Sequence, residues 1–172
     1  MRINNFTSFV GALFLMMAPT VAAHAQDQAL GFALSGVVEK VLVTAGDKVS
    51  KGQAIAVLDT IRIKARMTAV LAEVAVSQKI VNLATRRFDY AREQFDAVSL
   101  SKVELDTAQI TRDEALARLA KAQARQTILQ WRYDHATLRA PQSGRVKLVS
   151  TWPGMVINLR HANPQIIVLT VP

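Results

Sequence analysis

The chain has 172 residues, room for one ordinary domain or for a small domain plus an elongated element. It has no cysteine, which excludes disulfides, thiolate metal sites, cysteine nucleophiles and a lipid anchor on an N-terminal cysteine. The formal net charge of +8, from 21 Lys and Arg against 13 Asp and Glu, is dispersed, with Arg86-Arg87 the one adjacent basic pair, so it reads as a solvated surface and not as a nucleic-acid interface.

The N-terminus reads as a targeting segment. Arg2 supplies a positive start, residues 9–17 (VGALFLMM after Phe9) form an apolar core, and Ala23-His24-Ala25 is a small-x-small cleavage site. The apolar core is short for a bilayer span, so residues 1–25 are expected to be a cleaved signal peptide. The mature chain then runs from Gln26 to Pro172, and His24 is not a metal ligand.

Residues 26–59 are expected to hold a first set of short strands, after a tail over Gln26 to Leu30. Val37, Val38, Val41, Val43, Val49, Ile55 and Val57 stand between predicted turns at Gly36, Gly46 and Gly52. The second and third of these glycines bracket the stretch GDKVSKGQ, Gly46 to Gln53.

Residues 60–136 contain neither Gly nor Pro and are rich in Ala, Arg, Gln, Leu, Glu and Lys, which favour helix. A seam at alternating four- and three-residue spacing runs through Ile63, Met67, Val70, Val74, Ser77, Val81, Ala84, Phe88, Ala91, Phe95 and Val98. A weaker seam runs from Leu105 through Ala108, Arg112, Ala115, Leu119, Ala122, Gln126, Leu129 and Tyr133 to Ala136. Between them, Ser101-Lys102-Val103-Glu104 fits a capping box, with Leu100 and Leu105 placed for a hydrophobic staple. The pattern predicts two antiparallel helices of roughly 35 residues, on the order of 50 Å long at about 1.5 Å per residue, with a tip near 98–101. The alternative is one long helix that folds back elsewhere or dimerises. The capping box at the midpoint favours the hairpin.

Residues 137–172 look like a second copy of the first strands. A shift of 108 lays Ser143-Gly144 on Ser35-Gly36, Val146 on Val38, Val149 on Val41, Gly154 on Gly46 and Ile157 on Val49, so Gly144 and Gly154 are expected turns as well. Four extra residues then lay Ile167 on Ile55 and Leu169 on Val57. Each half is too short to bury a core alone. The expected fold class is α+β: one small β-sandwich or barrel built from two split, interlocked halves, with the helical hairpin inserted between them.

These residues resemble the periplasmic adaptor, or membrane fusion, proteins of tripartite efflux pumps and type I secretion systems. The resemblance rests on Gly36-Val37-Val38, GDKVSKGQ and Val57-Leu58-Asp59 before the coil, and on Leu138-Arg139-Ala140-Pro141-Gln142-Ser143-Gly144-Arg145-Val146 and Gly154-Met155-Val156 after it. It implies a biotinyl/lipoyl-like domain interrupted by a coiled coil and located in the periplasm. It implies side-by-side homo-oligomers, an outer-membrane channel as partner of the hairpin tip, and an inner-membrane transporter as the second partner. The tip candidates are Phe95, Val98, Ser99, Leu100, Ser101 and Val103, with Ser101 alone matching a family tip motif. Adaptors continue into a β-barrel and a membrane-proximal domain. This chain has no residues for either after Val171-Pro172, so the resemblance implies a minimal or truncated adaptor. A stand-alone coiled-coil structural or regulatory protein is the alternative.

In lipoyl and biotinyl carriers the modified lysine lies ten residues after the second turn glycine. Here that position is Arg62, which cannot form the amide, so no cofactor is expected; Lys64 lies two residues further on without the flanking pattern. No catalytic residues and no metal site are expected. Asp59, Asp134 and His135 at the hairpin base, and His135 with His161, have no spacing that points to a site. Trp152-Pro153-Gly154 reads as an aromatic beside a turn.

Overall fold

The structure is a computed structural model, and it describes residues 26–160 and 166–171. The proposed signal peptide and His161 lie outside the described residues. The elements in chain order are β1 (Gln26–Leu30), β2 (Gly36–Val41), β3 (Lys48–Val49), β4 (Ala54–Leu58), α1 (Ile61–Asp96), α2 (Lys102–Asp134), β5 (Thr137–Arg139), β6 (Gly144–Val149), β7 (Val156–Ile157) and β8 (Ile167–Val171). The strands form two four-stranded antiparallel sheets, ordered β1-β8-β6-β3 and β5-β4-β2-β7.

Each sheet takes its two outer strands from the other half: β1 and β3 flank β8 and β6, and β5 and β7 flank β4 and β2. β2 pairs β7 through Gly36 with Ile157, and β6 pairs β3 through Gly144 with Val49. The hydrogen bonds repeat in the same way: Val38 N–H donates to the Met155 carbonyl at 2.9 Å, and Val146 N–H donates to the Asp47 carbonyl at 2.9 Å. Neither half can form its sheet without the other, so the two share one core. Ile55, Leu58, Ile157, Ile166, Ile167, Leu169, Val38 and Val146 fill it.

The repeat corrects the sequence alignment in its last strand. Val38 pairs Leu58 and Val41 pairs Ala56 in one half; Val146 pairs Leu169 and Val149 pairs Ile167 in the other. Ile166 therefore matches Ile55, and Leu169 matches Leu58. The second half carries three extra residues, not four. The misreading arose because Ile55-Ala56 and Ile166-Ile167 both present two buried apolar residues in succession, which defeats period-two counting.

The expected tail over Gln26 to Leu30 is strand β1, paired along its length with β8. Its partner in the repeat is β5, since Ala29 pairs Val168 as Thr137 pairs Val57. Two of the five expected turn glycines are also corrected. Gly46, Gly52 and Gly154 have φ of 97°, 82° and 91°, which L-residues with a side chain adopt at a cost. Gly36 and Gly144 instead open strands β2 and β6, where close packing selects them. A Cβ on Gly144 would stand 2.6 Å from the carbonyl oxygen of Thr170, and one on Gly36 would stand 3.3 Å from Leu58 Cδ1.

GDKVSKGQ is a turn, a two-residue strand and a second turn. The Asp47 carboxylate accepts from Thr44 N–H at 2.7 Å and from the Thr44 hydroxyl at 3.0 Å, and these bonds hold its pKa below the usual carboxylate range. Gln53 Oε1 accepts from Ser50 N–H at 3.0 Å. Val49 between the two turns is buried.

The helices run antiparallel. Seam residues Val70, Ser77, Val81, Ala84 and Ala91 of α1 and Ala115, Leu119, Ala122 and Leu129 of α2 are buried against each other's helix. Arg112, a polar interruption of the second seam, lies over the ring of Phe88 with its guanidinium carbon 4.1 Å from the centroid. Glu73 and Arg125 meet across the hairpin at 2.7 Å. The seam stops short of its predicted ends. Phe95, Val98 and Tyr133 are exposed, because at the tip and at the base a facing helix no longer covers them.

At 36 and 33 residues, and about 1.5 Å per residue, the helices reach roughly 50 Å from the sandwich. Ile63 packs against the sandwich core and anchors the base.

Candidate partner-binding tip

α1 ends in a hydrogen-bonded C-terminal motif. Ser99 N–H donates to the Gln94 carbonyl at 2.9 Å, and Val98 N–H donates to the Phe95 carbonyl at 2.9 Å. This crossed pair is the Schellman arrangement, whose turning residue must take a left-handed conformation. The residue here is Val98, with φ of 59°. Glycine normally fills this place; a β-branched residue is strained there. Val98 is also 92% exposed, so no packing in this chain offsets the strain.

α2 starts with the predicted capping box. The Ser101 hydroxyl oxygen accepts from Glu104 N–H at 3.3 Å, and Glu104 Oε2 accepts from Ser101 N–H at 3.0 Å and from its hydroxyl at 2.8 Å. The side-chain bond first, then the backbone bond, holds the Glu104 carboxyl below its ordinary pKa. Leu100 and Leu105 are half-buried at the staple positions.

The connection from α1 to α2 is thus fixed on both sides by backbone and side-chain bonds. It presents Val98 (92% exposed) and Val103 (73%), with Phe95 (36%) below them. Ser99 and Ser101 lie between these apolar residues and are exposed. Sequence reading placed Val98 on the seam and missed its left-handed conformation. The seam spacing hid the helix end, and no glycine marked it.

The other candidates scatter. Arg62 lies in the first turn of α1 and is exposed. It is not on a β-hairpin turn. Asp59 accepts from Ile61 N–H at 2.8 Å at the start of α1, while Asp134 accepts from the Gln130 amide at 2.9 Å. His135 stacks on Trp131 with ring centroids 4.2 Å apart. Among the described residues no group of three or more His, Cys, Asp or Glu is placed to hold a metal ion. Trp152 is exposed beside the Gly154 turn.

No protein-family model matches the sequence. Solved structures do match the fold. The membrane fusion protein Spr0693 from Streptococcus pneumoniae R6 superposes with a TM-score of 0.66 at 22% identity, over 85% of this chain and 62% of that one. ZneB from Cupriavidus metallidurans gives 0.60 at 20% identity, over 84% and 60%. A MacA–MexA chimeric protein carrying the Pseudomonas aeruginosa MexA α-hairpin domain gives 0.55 at 21%, over 84% and 48%. The chain spans between 48% and 62% of the length of these structures. Two interlocked β halves, a long antiparallel hairpin between them and these superpositions agree: the chain has the fold of the membrane fusion, or adaptor, proteins.

Proposed function

We propose that the chain is a non-enzymatic adaptor of the bacterial cell envelope. It works in the periplasm of a tripartite efflux or secretion system, between an inner-membrane transporter and an outer-membrane channel. The sandwich is read as a lipoyl-like scaffold without a carried cofactor, since Arg62 stands at the carrier position. Copies of the chain assemble side by side, and the hairpin tip is the surface that meets the channel.

The observation that supports this most is Val98. A β-branched residue held left-handed and almost fully exposed, at the end of a hairpin about 50 Å long, is strain without internal compensation. Strain of that kind clusters at binding sites. Its apolar neighbours Phe95 and Val103 make a patch suited to helix-end docking.

The test is a pull-down of the outer-membrane channel encoded with the cognate transporter. Val98→Asp and Val103→Asp should abolish capture while the circular dichroism spectrum stays that of the parent. Capture at parental level by both folded variants would refute the tip assignment. The cofactor statement has its own check: the intact mass of the mature protein should carry no lipoyl or biotinyl adduct.

A further inference from the structure

The internal repeat supplies its own comparison. Lys48 pairs Arg145 between β3 and β6, and the repeat's counterpart of that rung is Val156 with Val37 between β7 and β2. Both rungs face outward: all four residues are exposed, while their neighbours Val49, Val146, Ile157 and Val38 are buried. Residues directly opposite each other in an antiparallel pair have Cβ atoms about 5 Å apart, where an aliphatic pair is favourable and two like charges are unfavourable. The backbone plan therefore accepts valines at this place. In one half of the sandwich the chain carries two cations there instead.

No carboxylate relieves them. Neither Lys48 nor Arg145 belongs to an ion pair among the described residues. Of the acidic residues beside the rung, Asp47 accepts from Thr44, and Asp27 is taken by Lys147 and the Thr170 hydroxyl. Arg145 uses one nitrogen within the chain: its Nη1–H donates to the Gly46 carbonyl at 2.5 Å, which fixes the guanidinium.

The rung borders an open groove of about 750 Å³ that crosses β3, β6 and β8. Lys48, Arg145, Lys147 and Thr170 line it, together with Ser50 and Ser143. A fixed guanidinium with an ammonium directly opposite and hydroxyls beside it suits the oxygens of a phosphate ester. The site is exposed, so a single small anion would be held by screened charges alone. An anionic lipid surface presents many phosphates at once and attracts each cation near it.

The groove lies at the end of the sandwich away from the coil. β4 passes to α1 after Leu58, whereas at its other end Ala140 N–H donates to the Gln53 carbonyl at 2.9 Å, and Lys51 N–H donates to Ser143 Oγ at 3.0 Å. A flat surface can therefore reach the rung while the hairpin projects away from it.

We infer that the Lys48–Arg145 rung binds phosphate esters, and that its ligand is the headgroup of an anionic phospholipid. The membrane setting rests on the adaptor reading, and the rung adds to it a lipid contact on the sandwich.

The test floats the mature chain from Gln26 with phosphatidylethanolamine–phosphatidylglycerol vesicles and with neutral phosphatidylcholine vesicles. The parent should float with the anionic vesicles only. Lys48→Val with Arg145→Val copies the counterpart rung. It should lower the partition onto anionic vesicles by roughly tenfold or more, with a urea midpoint at or above that of the parent. Lys48→Gln with Arg145→Gln should give the same loss of flotation. Lys79→Gln with Arg86→Gln removes as much charge from exposed positions on α1 and should float like the parent.

Equal flotation of the parent and the double valine variant would overturn the site, as would equal loss in the α1 control. Displacement of the parent by inorganic phosphate at matched ionic strength would assign the groove to a free anion and overturn the lipid. Self-association in lipid-free solution that the double valine variant loses, read by sedimentation, would place a second copy on the rung instead. The channel pull-down reads the tip and flotation reads the sandwich, so failure of the tip assignment and failure of this site are separate results.

Discussion

Val98 shows how one residue can be set against its own backbone. Its left-handed conformation costs roughly 1–2 kcal/mol for a residue with a Cβ, and it has no buried contact in return. Val98→Gly should therefore raise stability by about 1 kcal/mol after the entropy cost of glycine, read as a higher urea midpoint with unchanged slope. A loss of stability would mean that Val98 packs against something in the folded chain.

Ser101 is the opposite case, a residue placed as its neighbours require. Ser101→Ala should cost about 1 kcal/mol through the lost cap. The capping box also makes stability pH-dependent. The folded chain holds Glu104 below its usual pKa, so this contribution is complete above the unfolded value of about 4.3 and fades as pH falls through the folded value. Comparing urea midpoints of the parent and Glu104→Gln should show a gap at pH 7 that closes at strongly acid pH. The capping box was legible in the sequence because its chemistry is local. The conformation of Val98 was not, since no side-chain pattern encodes it.

At the scale of elements, the two halves of the sandwich share a backbone plan but differ in tolerance. Gly36 and Gly144 occupy equivalent strand starts. A Cβ on Gly144 runs into a backbone oxygen of β8 at 2.6 Å, whereas one on Gly36 meets a side-chain methyl of Leu58 at 3.3 Å, where a smaller shift suffices. Gly144→Ala should cost about 2 kcal/mol or more, and Gly36→Ala under about 1 kcal/mol. Thermal or urea melts of the two variants decide this, and equal costs would contradict the geometry.

The repeat itself could be seen in the sequence because glycine turns and valines recur at fixed spacing. β1 escaped because QDQAL has little alternation and pairs with a strand more than a hundred residues away. The helix seams were legible through Ala91 and from Leu105 to Leu129, where one helix lies against the other. They overran at Phe95, Val98 and Tyr133 because periodicity does not say where a partner helix ends.

At the scale of the molecule, the hairpin is a lever fastened to the sandwich at both feet. α1 follows β4 and α2 precedes β5, and β4 and β5 are hydrogen-bonded neighbours. The two crossings from strand to helix are therefore tied together, and Ile63, partly buried, packs against the sandwich core. Ile63→Ala should cost about 1–2 kcal/mol for a side chain that is partly buried, and its effect should be seen in sandwich residues by hydrogen exchange. Protection lost only within the helices would mean that the lever is loosely mounted.

The internal two-fold has a topological consequence. It carries β4 onto β8 and β5 onto β1, so the place where the hairpin leaves one half has a counterpart where β8 and β1 lie paired, Gln26 beside Val171. A circular permutant that joins Val171 to Gln26 by a short turn, and is cut open between Ser99 and Leu100, would keep every strand pair while separating the two helices at their tips. A second helical hairpin spliced into that join, in place of the turn, would leave the sandwich on the other side of the axis. The small β unit is thus a two-socket hub, of which this chain uses one socket for its coil.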